Sequence, residues 1–435
     1  MRQDERVTTG ILDELIWREL IAQSTDLGAL QAATEAGPIT LYCGFDPTAP
    51  SLHLGNLAQI LTVRRFQLNG HRPLALVGGA TGLIGDPKMA GERTLNPRDV
   101  VEDWVVRIRT QLERFYDFGG SNAAEMVNNY DWTVGVSVLE FLRDIGKHFS
   151  VNRMLDREAV AARLAKEGIS YTEFSYQLLQ SFDYLQLYRS HGCTLQTGGS
   201  DQWGNITAGT DLIRRVEQVS VHALTTPLLV KADGTKFGKT ESGTVWLDPS
   251  LTSPYAFFQF WLNADDRDVP VLLRTYSFQE RDDIRNLLEA TAERPHERAA
   301  QRALALELTA LVHGAEERDA AEAAGRALFG QGNLADLPLA TLTAALSETP
   351  HGTVEAAEVV GGVLPPIDEL LVRSGLVTSK SQARRTIAEG GAYLNNSRVV
   401  DEAFTPTIAD LLGGQWLVLR RGKRSVGGIL VLGRA

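Results

Sequence analysis

The sequence predicts an α/β fold built on a parallel sheet, followed by an α-helical domain and a small α+β module. Three observations carry this. Between residues 38 and about 226, short apolar runs alternate with helix-length segments, the pattern of a parallel sheet covered by helices. From 254 to about 329, Ala and Leu recur at helical spacing, most clearly over 298–312. After Pro366, two short helical stretches precede strand-like pieces at 390–395 and 415–421.

In the first region the strands fall at 39–43, 73–77 and 126–128, and the helices at 55–69, 98–116, 172–190 and 201–217. Ligands of such folds sit beyond the carboxyl ends of the strands, which is where His53, Asp86 and Asn128 lie. A chain of 435 residues is too long for one ordinary core. The expected division is 1–250, 251–348, a linker over 349–366 and a tail domain over 367–435. Residues 331–366 contain no Lys or Arg and end in Gly361-Gly362-Val363-Leu364-Pro365-Pro366, which suggests the tether.

Charge separates these parts. The whole chain carries −11, but residues 367–435 hold 10 Lys and Arg against 6 Asp and Glu, so the tail is +4 and the remainder −15. A general nucleic-acid coat is excluded, whereas a basic module on an acidic body suits a protein that touches nucleic acid with one part. Lys380, Arg384 and Arg385 fall at helical spacing and make a candidate phosphate surface. Forty-three percent hydrophobic and 22% charged residues are ordinary for a globular protein. Two cysteines, Cys43 and Cys193, give neither a disulfide framework nor zinc spacing, so a cytoplasmic location is expected and no protein-ligated metal. No segment reaches the length of a membrane span, and no membrane partner is expected.

Two stretches almost two hundred residues apart are suited to polyphosphate. His53-Leu54-Gly55-Asn56 places an imidazole and a residue without Cβ at the start of a helix, where free N–H groups and the helix dipole attract anions. Lys236-Phe237-Gly238-Lys239-Thr240 brings two ammonium groups and a hydroxyl to one loop. Alone, each is more often a satisfied histidine or a solvated turn. A Walker loop is disfavoured, because Asp233 stands where its first Gly belongs and the sequence after Thr240 reads as turn then strand.

Together these stretches resemble the two signature motifs of class I aminoacyl-tRNA synthetases. Tyr42-Cys43-Gly44-Phe45-Asp46-Pro47-Thr48, Gly78-Gly79-Ala80-Thr81-Gly82-Leu83-Ile84-Gly85-Asp86-Pro87 and Gly198-Gly199-Ser200-Asp201-Gln202-Trp203-Gly204-Asn205 are similar to the bacterial tyrosyl branch. The likeness covers essentially the whole chain. It implies a Rossmann-like catalytic domain, an anticodon-side helical domain and an RNA-binding tail of the ribosomal-protein S-four type. It also implies a homodimer that joins L-tyrosine to tRNA(Tyr) through tyrosyl adenylate, with ATP as substrate and magnesium accompanying it. Asn56 stands where the class motif usually has a second His, keeping an N–H donor but no titratable ring.

The resemblance assigns roles residue by residue. Thr48, His53, Asn56, Lys236, Lys239 and Thr240 match the catalytic, phosphate-contacting positions. Tyr42 and Asp183 match the pair that holds the phenol hydroxyl, Asp86, Tyr176 and Gln180 the cage around the ammonium group. Cys43, Gly44, Asp46, Gly55, Gln196, Asp201 and Gln202 match adenylate, ribose or substrate contacts, and Lys88 and Arg93 a pyrophosphate loop that is one residue short here. Spacing alone reads Tyr176, Gln180 and Asp183 as a polar stripe on one helix face, but Phe174, Leu178, Leu179, Phe182 and Leu185 around them argue against full solvation. Two alternatives stay open: a silent RNA-binding protein on this fold, and the related tryptophan enzyme, whose indole has no hydroxyl for Tyr42 and Asp183. The apolar run 134–142 reads either as a dimer contact or as an internal core helix.

Overall fold

The computed structural model describes residues 10–87, 91, 94–166, 168–235, 237–240 and 243–433. Strands β1 (Gln23–Ser24), β2 (Thr40–Phe45), β3 (Arg72–Val77), β4 (Glu125–Asn128), β5 (Cys193–Gly199) and β6 (His222–Thr226) form one sheet in the order β1-β6-β5-β2-β3-β4. Neighbours run parallel except β1, which closes the edge antiparallel to β6. Leu74, Ala75, Leu76 and Val77 are all buried and do not alternate with polar residues, because helices cover both faces of a parallel sheet.

Helices Leu54–Leu68, Arg98–Leu112, Tyr171–His191 and Trp203–Glu217 make the crossovers. The helix expected over 98–116 stops at Leu112, and the one expected from 201 opens with a tight 3-10 turn, Ser200–Gln202, before becoming α-helical. Strand order reverses between β2 and β5, so the loops leaving their carboxyl ends diverge and open a crevice.

The chain divides into two compact units: residues up to Asp248 with Arg267–Arg285, and Pro249–Asp266 with everything from Asn286. The boundary at 250 suggested by sequence therefore misses a return. Within the first unit, helix Val269–Tyr276 packs on Leu54–Leu68. The Tyr276 hydroxyl donates to the Leu54 carbonyl at 2.9 Å, and Arg65 Nη2 donates to the carbonyls of Thr275 and Ser277, each at 2.9 Å. These buried bonds fix the helix that His53 begins, and periodicity cannot announce them because they join positions more than 200 apart. A short antiparallel pair, β7 (Lys239–Thr240) and β8 (Gly243–Thr244), also belongs to this unit.

In the second unit, helices Pro254–Leu262, Ala299–His313, Ala315–Leu328 and Leu339–Ser347 pack around buried Phe257, Trp261, Leu304, Leu308 and Ala321. Strands β9 (His351–Glu355), β10 (Ala392–Leu394), β11 (Ser397–Arg398), β12 (Trp416–Arg421) and β13 (Ser425–Leu432) form a sheet ordered β11-β10-β12-β13-β9. Helices Ile367–Arg373 and Lys380–Ala388 cover one face of it through Ile367, Leu371, Ala383 and Ile387 against Leu417, Leu419 and Ile429. The stretch 349–366, expected as a linker, is part of this module. Strand β9 pairs in parallel with β13, and Val354 and Leu364 are in the same core. It resembled a tether because an edge strand with a single buried side chain carries little apolar pattern.

Among the described residues, no helix is long and apolar enough to cross a membrane.

Candidate active site

The crevice at the strand reversal is a cavity of about 390 Å³. Fifteen of the residues singled out in the sequence line it: Tyr42, Cys43, Gly44, Asp46, Thr48, His53, Gly55, Asn56, Asp86, Tyr176, Gln180, Asp183, Gln196, Asp201 and Gln202. They come from the end of β2, the start of Leu54–Leu68, the loop after β3, one face of Tyr171–His191 and the end of β5. Lys88, Arg93 and Lys236 lie outside the described residues, and of Lys239 and Thr240 only the backbone, in β7, is described.

His53 caps its helix. Its Nδ1 accepts the amides of Gly55 at 3.0 Å and Asn56 at 3.4 Å, while Asn56 Oδ1 accepts the His53 amide at 3.1 Å. Asn56 thus fills the third position of a reciprocal capping box, a role that needs a side-chain acceptor and no charge. Accepting two N–H groups at Nδ1 puts the neutral ring's proton on Nε2, which gives the ring a donor on its other side. Gly55 is required by the same geometry, since a Cβ there would lie 2.9 Å from His53 Cε1.

The second motif is brought to the first. The Leu54 amide donates to the Val245 carbonyl, the Leu247 amide to Leu52, and the Val245 amide to Gly238. Gly238 has φ +79°, and a Cβ there would approach Leu54 Cβ to 3.2 Å. Backbone pairing therefore seats the loop carrying Lys239 and Thr240 against the first turn of the helix that His53 caps.

The floor of the cavity is a hydrogen-bonded network built on the buried Asp183 and the half-buried Asp46 and Asp86. Asp183, 2% exposed, accepts Asn129 Nδ2 on one oxygen and Trp132 Nε1 on the other, both at 2.9 Å. Burial pushes its carboxyl up to about 7, while the Asn129 and Trp132 donors pull the other way. Tyr42, 1% exposed, has a hydroxyl without a hydrogen-bond partner, and its pKa lies well above the ordinary phenol because of burial first and the nearby Asp183 second. Asp46 accepts the hydroxyls of Thr81 at 2.6 Å and Tyr176 at 2.7 Å. Asp86 accepts Gln202 Nε2 and Asn205 Nδ2, each at 3.1 Å. Gln196 Oε1 and Thr197 Oγ1 are buried without partners, so the cavity presents polar atoms that a polar ligand would satisfy.

Sequence reading missed Asn129 and Trp132, and named Thr81 and Asn205 only within longer motifs, without a role. Asn129 is the hub: its amide also donates to Thr81 Oγ1 at 2.9 Å, and its oxygen accepts the Ala80 amide at 2.7 Å. An Asn-Asn pair after a predicted strand was the only available signal, and Asn128, the member noticed, shapes the loop by accepting the amides of Gly79 and Tyr130. Cys43 offers no nucleophile, because burial raises its thiol to about 12 and keeps it protonated near neutrality.

Comparison with known proteins finds relatives along nearly the whole chain. The family described as "tRNA synthetases class I (W and Y)" matches residues 34–330, and a "Tyrosine--tRNA ligase SYY-like C-terminal domain" matches 346–426. The tyrosine--tRNA ligase of Streptomyces avermitilis is 63% identical, covering 98% of this chain and 100% of its own. That of Thermobifida fusca is 60% identical, covering 97% of this chain and 100% of its own. A C-terminally truncated mitochondrial tyrosyl-tRNA synthetase of Aspergillus nidulans superposes with TM-score 0.66 at 29% identity, over 73% of this chain and 94% of its own. With near full-length likeness at this level, and with both domains matched in order, the chain belongs to the tyrosine--tRNA ligases of the class I tRNA synthetases.

Proposed function

We propose that Tyr42 and Asp183 select L-tyrosine by its phenol hydroxyl, and that the cavity above them joins the bound carboxylate to the α-phosphate of ATP. The observation carrying this reading is the pairing, at the cavity floor, of a buried unpartnered hydroxyl with a buried carboxylate held by two N–H donors. A phenol O–H donating to Asp183 and accepting from Tyr42 satisfies all three groups. Asp86 and Gln180 line the cavity with Tyr176 and receive the ammonium group, with Asp46 behind Tyr176.

The substrate carboxylate then attacks the α-phosphorus, and pyrophosphate leaves on the far side. No covalent enzyme intermediate is required, so the protein's work is positioning and charge stabilisation. Among the described residues lining the cavity there are four carboxylates and no Lys or Arg. The cations that polyphosphate requires are therefore assigned to Lys236 and Lys239 with Thr240, and to Lys88 and Arg93, with His53 Nε2–H at the helix start. Magnesium enters as part of the ATP substrate. Cys43, Gly44, Gln196, Asp201 and Gln202 hold the adenylate, Thr48 and Gly55 flank its phosphate, and the tyrosyl group passes to the 3′ end of tRNA(Tyr) in the cytoplasm.

The test is pyrophosphate exchange with tyrosine, phenylalanine and tryptophan. Tyrosine alone should support exchange at micromolar to millimolar concentration, and exchange with tryptophan in its place would refute the assignment of the cavity floor.

The same reading takes the protein to be a homodimer. Val134, Val138, Leu139 and Leu142 stand exposed, with Leu139 at 80%, while Phe141 and Ile145 turn inward onto Phe182 and the core. An apolar group of this kind on a surface calls for a cover. Sedimentation at micromolar concentration should give a dimer, and Leu139→Glu a monomer; a monomeric parent protein with full activity would remove the claim.

A further inference from the structure

The ion pair of Arg163 with Glu173 lies beneath the surface and lines no part of the cavity. Arg163 is 2% exposed and Glu173 1%, with 3.0 Å between Nη1 and Oε2. Surface pairs such as Arg98–Glu102 and Arg107–Asp103 are, by contrast, more than half exposed on both sides. Arg163 stands in the last turn of the short helix Glu158–Leu164, and Glu173 in the first turn of Tyr171–His191, three residues before Tyr176.

The guanidinium does more than meet the carboxylate. Its Nη1 also donates to the Gly91 carbonyl at 2.5 Å and its Nε to the Gly168 carbonyl at 3.2 Å, while the Gly168 amide returns a bond to the Arg163 carbonyl at 2.9 Å. One rigid fork of donors thus joins the chain that follows β3, the turn at 168 and the helix that carries Tyr176, Gln180 and Asp183. Stability alone does not call for this arrangement. Taking two charges out of water costs about as much as their attraction returns, and apolar side chains of similar volume often replace such a pair without loss. The bond to Gly91 is the feature they would not reproduce, and Gly91 stands three positions after Lys88 and two before Arg93.

We propose that Arg163, held by Glu173, is a positioning residue for pyrophosphate: it fixes the backbone between Lys88 and Arg93, at Gly91, to the helix that carries Tyr176, Gln180 and Asp183. The proposal rests on the reading that Lys88 and Arg93 receive pyrophosphate, and names what sets their backbone. A chain held before the ligand arrives does not have to be ordered by it, so the pair acts on the affinity for pyrophosphate and leaves that for tyrosine alone. Glu173 is needed because a guanidinium buried without a counter-charge is strongly destabilising.

The test uses the full-length protein in tyrosine-dependent pyrophosphate exchange, with pyrophosphate, ATP and tyrosine varied in turn. Arg163→Met/Glu173→Met removes both charges together and keeps side-chain volume, so the melting temperature should stay near the parent's. The KM for pyrophosphate should rise roughly tenfold while that for tyrosine stays within about twofold. Arg163→Lys keeps the charge pair but loses the fork, so it should raise the pyrophosphate KM as well and gives the same reading if the double variant fails to fold. Arg93→Gln checks the underlying assignment and should raise the pyrophosphate KM on its own. A rise in Arg93→Gln and in neither Arg163 variant would overturn the positioning role and leave the assignment of Lys88 and Arg93 standing. An unchanged value in Arg93→Gln would overturn that assignment, and the proposal with it. Equal rises for tyrosine and pyrophosphate, with a lowered melting temperature, would show a purely structural role and overturn the proposal.

Discussion

Asp183→Asn is expected to lower kcat/KM for tyrosine in pyrophosphate exchange by about 10²–10³-fold. The carboxylate uses one oxygen for Asn129 and the other for Trp132. An amide in its place must turn its NH₂ toward one of those donors, leaving a buried N–H unpaired, and it offers the phenol a weaker acceptor. A hydrogen bond to a charged group is worth about 1.5–3 kcal/mol and an orphaned buried donor costs about 1–3, so roughly 3–4 kcal/mol is lost. The pH dependence carries a sign as well. Burial raises the Asp183 carboxyl to about 7, so its protonated form accumulates as pH falls through that value. The acceptor for the phenol is the ionised form, and kcat/KM should therefore rise with pH across a limb near 7. The Asn variant should lack that limb. A variant with unchanged kcat/KM, or one that keeps the limb, would show that Asp183 does not hold the phenol.

The same residue shows how far the sequence could be read. Tyr176, Gln180 and Asp183 were placed on one helix face by spacing, and their apolar neighbours signalled burial; all three line the cavity. Spacing could not supply Asn129 and Trp132, which reach Asp183 across 54 and 51 positions. Their hydrogen bonds exist only because β4 ends beside the helix that carries Asp183. The two phosphate motifs were likewise legible one at a time, by residue type. Their meeting depends on a backbone pairing of 52–54 with 245–247, which leaves no trace in composition.

Where the sequence misled, the error was one of partners. Absence of Lys and Arg over 331–366 suggested a tether, yet β9 pairs with β13 through main-chain bonds that need no side-chain signal. Lys380, Arg384 and Arg385 do share a helix, but Asp368 and Glu389 hold two of them and Glu369 the third. Helical spacing placed them on one helix and could not count its counter-ions. Asn56 is the converse case. Read as a departure from a class motif, it proves to be a sound helix cap, so the substitution costs the fold nothing that the geometry requires.

Removing residues 347–435 should separate the two half-reactions. The cut falls before β9, because a cut at 367 would leave that edge strand without β13. Every residue assigned to adenylate formation lies at or before Thr240, in the first compact unit. Tyrosine-dependent pyrophosphate exchange should therefore stay within about twofold of the parent rate, and its survival also reports that the truncated chain is folded. Transfer of tyrosine to tRNA should fall by at least roughly 10²-fold at 0.1 M salt, because the basic residues of 367–435 go with it and the acidic remainder repels RNA. The salt slope of tRNA binding should flatten in the same protein, since each lost phosphate contact removes close to one unit from it. The three measurements constrain one another. Loss of exchange together with transfer would mean that the cut damages the catalytic unit, whereas retained transfer with an unchanged slope would mean that the tRNA is held elsewhere and that the tail's positive charge serves another purpose.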